Sequence, residues 1–449
     1  VITGMKTYPT IALGVPDILL PKSGVDPAKW AVIACDQYTS EPQYWERVKA
    51  LVGDAPSSLN LIYPEAYLGE PDSEARIRRI REMMNRYLES GLFEETAGLV
   101  YVERSVGSGV RKGIVACLDL EHYDFRPGST SLIRASEGTI LDRLPPRVRI
   151  REGAPLEIPH IMVLVDDPEN RVFGPVTHGR DRLTRLYDFD LMLGSGRLSG
   201  YRIDNPGVEE AVISSLTSLA EPENFAGKYG LSAGTPVLLF AMGDGNHSLA
   251  TAKTIWEKTK EKTSDKQAAM NSPLRYALVE LVNLHDEALV FEPIHRVLLD
   301  LAPGKDICED FQAFYPGNSR HSAVSCLEEM KAAIDSQTGN AHKIGLISAS
   351  GFGLLEIERP SSVLPVGTLQ NFLDEFLKKG GGRGIDYVHG AETVVKIGRQ
   401  SGSAGFYLPA MNKHDLFKTV ILDGALPRKT FSMGEAWEKR FYMEARRLT

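Results

Sequence analysis

Residues 238–257 read LLFAMGDGNHSLATAKTIWE. The apolar run 238–242 has the length of a buried strand, and Leu249, Ala252, Ile255 and Trp256 recur at helical spacing behind it. The stretch therefore reads as strand, tight loop, helix. The loop itself, Gly243-Asp244-Gly245-Asn246-His247-Ser248, crowds four polar side chains into a turn. Capping a helix needs one of them. A glycine-bearing loop that opens a helix exposes backbone N–H groups at the positive end of the helix dipole, which is a ready seat for an anion. Gly243 and Gly245 allow close approach of the backbone, and Asn246 and Ser248 add hydrogen-bonding groups. Asp244 has the chemistry to hold a magnesium ion or position a hydroxyl, and His247 to donate to a phosphate oxygen or move a proton. The plainer alternative is that one of these residues caps the helix and His247 is a satisfied surface residue.

The loop nearly matches the G-x-G-x-x-G/A dinucleotide fingerprint. Its third small residue is a serine, and no acid ends a second strand about 20 residues on, so a nicotinamide-nucleotide site is the weaker reading.

Working outward, residues 71–93 (PDSEARIRRIREMMNRYLESGLF) carry Ile77, Ile80, Met83, Met84 and Leu88 at helical spacing. Residues 99–106 and 111–120 read as two strands joined through Gly107-Ser108-Gly109, a hairpin. A buried strand follows from His160, an amphipathic helix over 207–220, another buried strand over 274–284, and a second hairpin within 342–359. Hairpins mixed with helices predict an α+β chain with mixed sheets rather than a strict parallel βαβ series. The length, 449 residues, suggests two or three folding units. We place them as an N-terminal α/β segment (1–100), a core domain holding the loop (101–265) and a C-terminal α+β domain (266–449).

A second feature lies at 133–160, IRASEGTILDRLPPRVRIREGAPLEIPH, with Arg134, Arg143, Arg147, Arg149 and Arg151. Pro145-Pro146 disfavours helix, so the alternating Arg147, Arg149 and Arg151 are expected on one face of an extended strand. Guanidinium forks suit phosphate or carboxylate, although charge along a strand edge also serves simply to block pairing. Glu137 in the same segment is a candidate base or metal ligand if the fold carries it to the loop. His160 is as compatible with a structural role as with a functional one. His285, Asp286 and His295 match no standard zinc spacing and fit turn and core roles better.

The net charge of −8 argues against a protein that coats nucleic acid, yet leaves room for a small anionic ligand in a local basic pocket. The hydrophobic share of 43% and charged share of 24% are ordinary for a soluble globular chain. No apolar run is long enough to span a bilayer, and the opening residues lack a signal-peptide pattern. Cys35, Cys117, Cys308 and Cys326 form no C-x-x-C pair, so free thiols in a reducing cytoplasm are expected.

Several of these blocks occur in a familiar order: GIVACLDLEHYDF (113–125), IRASEGT (133–139), the D-G-N-H-S loop, EPIHRVL (292–298) and PRKTFSMGE (427–435). In this order, from Pro16 through Asp36 in VIACDQY to Phe441, the chain resembles the domain-of-unknown-function family 1015. The family's loop, usually D-G-H-H-R, is similar to that of the ParB/sulfiredoxin-like fold and of the archaeal free-serine kinases. In those kinases such a loop handles phosphate and a separate glutamate activates the serine hydroxyl. The resemblance implies phosphate handling at Asp244, Gly245 and His247. Asn246 and Ser248 depart from it, standing where histidine and arginine are usual, which leaves the arginines at 143–151 as the place to look for a replacement. The expectation is a phosphotransferase that uses ATP or ADP with magnesium on a small hydroxylated metabolite. The alternative is a regulator that binds a nucleotide or phosphometabolite without turnover.

Overall fold

The computed structural model describes residues 5–337 and 339–449. The chain forms two compact units. Val1–Val290 together with Gly434–Thr449 make the first, and Phe291–Met433 the second.

The first unit is built on an eleven-stranded mixed sheet. Its main order is Thr184–Asp190, Arg197–Arg202, Val100–Val106, Gly109–Asp119, Tyr276–Asn283, Met162–Val165, Phe240–Asp244, Ile133–Arg134 and Tyr123–Asp124. Side chains alternate across it, as the period of two requires. Val100, Val102, Val115, Cys117 and Leu278 enter one core with Trp30, Trp45, Val48, Ile77 and Ile80 from the N-terminal helices. Their neighbours Leu99, Tyr101, Ile114, Ala116, Ala277 and Val279 enter the core on the other face, with Val212, Leu216, Leu249, Ala252 and Trp256. Both faces are buried, which explains why these strands read as nearly continuous apolar runs.

The C-terminal residues 434–449 return to the first unit and are laid into its N-terminal layer. Ala34 N donates to Arg440 O (2.9 Å), Tyr442 N to Val32 O (2.8 Å) and Leu19 N to Ala445 O (2.8 Å). Several of their charged side chains, Glu438, Lys439, Arg440, Glu444 and Arg446, are buried. Arg446 reaches Glu157 at 2.6 Å, and Arg440 holds both Glu280 and Glu444.

The second unit is an antiparallel sheet in the order Ser319–Val324, Gly351–Ile357, His342–Ser348, Ala404–Tyr407, Phe291–Leu299 and Gly384–His389, with Phe431–Met433 paired to the start of Phe291–Leu299. Phe311, Leu369, Phe372 and Phe376 cover one face, and Met330, Ile334 and Val394 the other. His295 is a core residue here. Its Nδ1 accepts from Leu408 N (3.1 Å), and burial pushes its pKa down to about 4.

The α+β architecture and both hairpins are as expected, and so is the strand–loop–helix of 238–257. The arginine-rich segment is not. Leu144–Arg151 is an α-helix, with prolines in its first turn, where a missing N–H costs nothing. In a helix Arg147 and Arg151 share a face and Arg149 points away from them. The single row of guanidinium groups expected from an extended strand therefore does not form.

Candidate functional site

Strand Phe240–Asp244 runs antiparallel to Met162–Val165, with Asp244 opposite Met162, and parallel to Ile133–Arg134. This places the end of the strand between His160, two residues ahead of Met162, and the segment that continues from Arg134 towards Ile140. Helix Asn246–Lys262 starts there.

The turn depends on Gly245. Its φ of +79° lies in the left-handed region, and a Cβ there would come within 3.1 Å of Ile161 Cα. Gly245 is also the N-cap, so no side chain caps this helix. The capping role considered for Asp244, Asn246 or Ser248 is thus not the one they take. Asp244 Oδ1 accepts from Gly245 N (2.9 Å), and Oδ2 faces Lys439 Nζ at 3.2 Å. His247 Nε2 accepts from Ile140 N at 3.3 Å, which joins the loop to the arginine-rich segment just ahead of Arg143. Ser248 Oγ lies 3.1 Å from His160 Nε2.

Beyond the loop the cluster widens. His160 Nδ1 is 2.8 Å from the Tyr442 hydroxyl, whose oxygen also accepts from Cys35 N (3.0 Å). Asp36 Oδ2 is 3.6 Å from His160 Nε2. Glu65 N donates to Cys35 O (2.7 Å), and its carboxylate pairs with Arg147 at 2.5 Å. Three cationic or protonatable groups, Lys439, Arg147 and His160, thereby meet three carboxylates, Asp36, Glu65 and Asp244. Side-chain exposure runs from 7% at Lys439 to 27% at Asp36, so the cluster is largely but not fully shielded.

The charges reinforce one another. Burial alone would lower the His160 pKa, but the carboxylates around it, Asp36 foremost and then Asp244 and Glu65, together lift it above the ordinary 6.5. Burial likewise works against an ionised Asp36, and His160 foremost, with Gln37 and Lys439, outweighs it and holds the carboxyl well below the usual carboxylate range. Glu65 goes the other way: burial raises its pKa above 4.5 in spite of Arg147.

The remaining expected site residues are dispersed. Glu137 is half-buried in the segment leading to Ile140. Arg134 is buried, and its guanidinium donates to the carbonyls of Ser131, Pro236 and Val237. Arg143 and Arg149 are exposed. Gly243 is the penultimate residue of its strand. Asn246 Oδ1, Ser136 Oγ and Thr139 Oγ1 are buried oxygens without a hydrogen-bond partner in the structure. No group of three His, Cys, Asp or Glu side chains among the described residues is placed to hold a metal ion. Among those residues, too, no helix is long and apolar enough to cross a membrane. A cleft of about 1020 Å³ lies elsewhere in the first unit, lined by Lys6, Tyr8, Asp17, Glu209 and Glu210, and shares no residue with the cluster.

Nothing in the sequence marks Glu65, Lys439 and Tyr442 as site residues. They reach the loop only through long-range pairing, and no local spacing announces them. His160 had a local cue, since it opens a buried strand.

Comparison with known proteins gives remote structural likenesses. A free serine kinase variant in complex with AMP is 8% identical, with a TM-score of 0.39 over 73% of this chain and 90% of that one. A free serine kinase in complex with AMP is 9% identical, with a TM-score of 0.37 over 73% and 90%. A conserved hypothetical protein from Pyrococcus furiosus is 10% identical, with a TM-score of 0.34 over 73% and 90%. No curated protein sequence matches the chain. The model of a protein family of unknown function, DUF1015, matches residues 19–376. That span takes in Asp36, Glu65, Arg147, His160 and the whole 243–248 loop, and the chain belongs to the DUF1015 family.

Proposed function

We propose that the first unit binds ATP or ADP at the start of helix Asn246–Lys262 and transfers the terminal phosphoryl group to the hydroxyl of a small metabolite. The observation that carries this reading is the convergence of an uncapped helix start with Lys439, His160 and Arg147 in one partly shielded cluster. The backbone N–H groups of the first turn, opened by Gly245, would receive phosphate oxygens. Lys439 would add a fixed positive charge where negative charge gathers in the transition state.

Asp244 is the carboxylate that would hold magnesium arriving with the nucleotide. Such ions are commonly bound through one or two carboxylates plus the phosphates, so a dedicated cluster of three protein ligands is not needed. The ion would supply charge neutralisation. A neutral His247 whose Nε2 accepts from Ile140 carries its proton on Nδ1, the atom that would donate to the transferring group. Asp36, kept ionised beside His160, is assigned to orient the acceptor hydroxyl, with Glu137 the second candidate. Arg147 supports the site through Glu65. Phosphoryl transfer asks mainly for positioning and charge stabilisation, which is what such a cluster offers.

The test is isothermal titration with ADP and magnesium, followed by a screen of hydroxylated metabolites for ATP consumption. Saturable binding that Lys439→Met weakens, with turnover only when an acceptor is present, supports the assignment. Absence of nucleotide binding overturns it.

A further inference from the structure

Ser248 is the one hydroxyl of the loop that meets a base. Its Oγ lies 3.1 Å from His160 Nε2, while the opposite ring nitrogen, Nδ1, lies 2.8 Å from the Tyr442 hydroxyl. The Tyr442 oxygen already accepts from Cys35 N, and a phenolic oxygen has room to accept a second hydrogen bond, from Nδ1–H. A ring proton carried on Nδ1 and donated to that oxygen would turn the Nε2 lone pair to Ser248. Nucleophile, base and orienting oxygen thus stand in line, as in a serine–histidine catalytic pair with a neutral third member. Asp36, 3.6 Å from Nε2, is placed to stabilise the imidazolium that forms when the ring takes a proton. Ser248 also belongs to the uncapped first turn of its helix, so its oxygen lies beside the N–H groups assigned above to the phosphate.

We propose that Ser248 is itself a phosphoryl acceptor, forming a covalent phosphoserine from a bound nucleoside triphosphate. This rests on the nucleotide reading of the same site. In the step, Ser248 Oγ attacks the terminal phosphorus and the new O–P bond forms. The bond from that phosphorus to the bridging oxygen breaks, and its electron pair leaves with the nucleoside diphosphate. The serine proton passes to His160 Nε2. Because the transition state is loose, the proton need not move until the new bond is well advanced, so a histidine with a raised pKa can still serve.

The experiment uses the full chain with magnesium and ATP labelled in the terminal phosphate. Intact-mass and peptide-fragmentation spectrometry follow the label, and nucleotide binding is measured in parallel by titration calorimetry. The expected result is one acid-stable phosphoryl group per chain, mapped to Ser248 and abolished in Ser248→Ala. His160→Gln should slow labelling about 100-fold. Tyr442→Phe should slow it about tenfold, through loss of the oxygen that orients the ring. Mapping on the unmodified chain keeps the test independent of whether a variant folds. Nucleotide bound without labelling of Ser248 overturns the phosphoserine and leaves the nucleotide site standing. No binding of ATP or ADP removes both.

Discussion

Lys439, from the C-terminal tail, places its ammonium 3.2 Å from the carboxylate of Asp244 at the head of the loop helix, with only 7% of its side chain exposed. Neither residue announces the other in the sequence. A shielded ammonium beside an uncapped helix start contributes most when an anion arrives, because the charge is already desolvated and fixed. Lys439→Met should therefore weaken ADP binding by about 10- to 100-fold, the equivalent of one charge-assisted hydrogen bond. Asp244 keeps 22% exposure, so water can reach the carboxylate left behind, and the folding cost should stay near 1–2 kcal/mol. Calorimetric titration of both proteins decides it. Equal affinity would remove Lys439 from the site.

The His160–Asp36 pair makes stability depend on pH in a defined direction. The His160 pKa is raised above 6.5 in the folded chain, so its contribution is complete below that value and is lost as pH rises through the folded pKa. The Asp36 pKa is lowered below 3.8, so its contribution is present above that value and is lost as pH falls through the folded pKa. Between the two ordinary values the pair stabilises fully. In Asp36→Asn the main cause of the His160 shift is gone. Its ring resonance should then titrate at lower pH in NMR, and the loss of stability towards alkaline pH should shrink in denaturant unfolding. An unmoved His160 titration would mean that Asp36 does not set its charge.

The strand, loop and helix at 238–257 were legible because each depends on local periodicity. The hairpin at Gly107-Ser108-Gly109 was legible for the same reason. The arginine-rich helix is hidden because Pro145-Pro146 reads as a helix breaker, whereas in the first turn there are no backbone bonds for proline to remove. Glu65, Lys439 and Tyr442 were invisible for another reason. They meet the loop only after the N-terminal layer closes and the tail returns through Ala34–Arg440 and Val32–Tyr442 hydrogen bonds. Their chemistry is ordinary in sequence and acquires its meaning from burial.

The corrected helix changes what Arg147 does. It holds Glu65 at 2.5 Å, and Glu65 is a carboxylate whose pKa burial has already raised. Arg147→Met would leave that group shielded and unpaired, which should cost about 2–3 kcal/mol in urea unfolding. Glu65→Gln in the same background removes the stranded charge and should restore most of the loss. The double variant is therefore expected to be more stable than Arg147→Met alone. If the two losses simply add, the pair is not coupled and the arginine acts elsewhere.

Gly245 separates two sources of strain at the loop. Its φ of +79° costs an alanine about 1–2 kcal/mol, whereas asparagine tolerates this region better. Any Cβ, alanine's or asparagine's, also meets Ile161 Cα at 3.1 Å, a backbone neighbour that can give way only by moving the strand containing Met162. Gly245→Ala should therefore destabilise by both effects and Gly245→Asn mainly by the second, with asparagine the milder by several tenths of a kcal/mol. Both should weaken ADP binding, because the amides of the first turn shift with residue 245. Thermal unfolding ranks the variants, and titration reads the loop. If Gly245→Ala unfolds at the unsubstituted protein's temperature and binds ADP equally well, the left-handed turn is not what seats the phosphate.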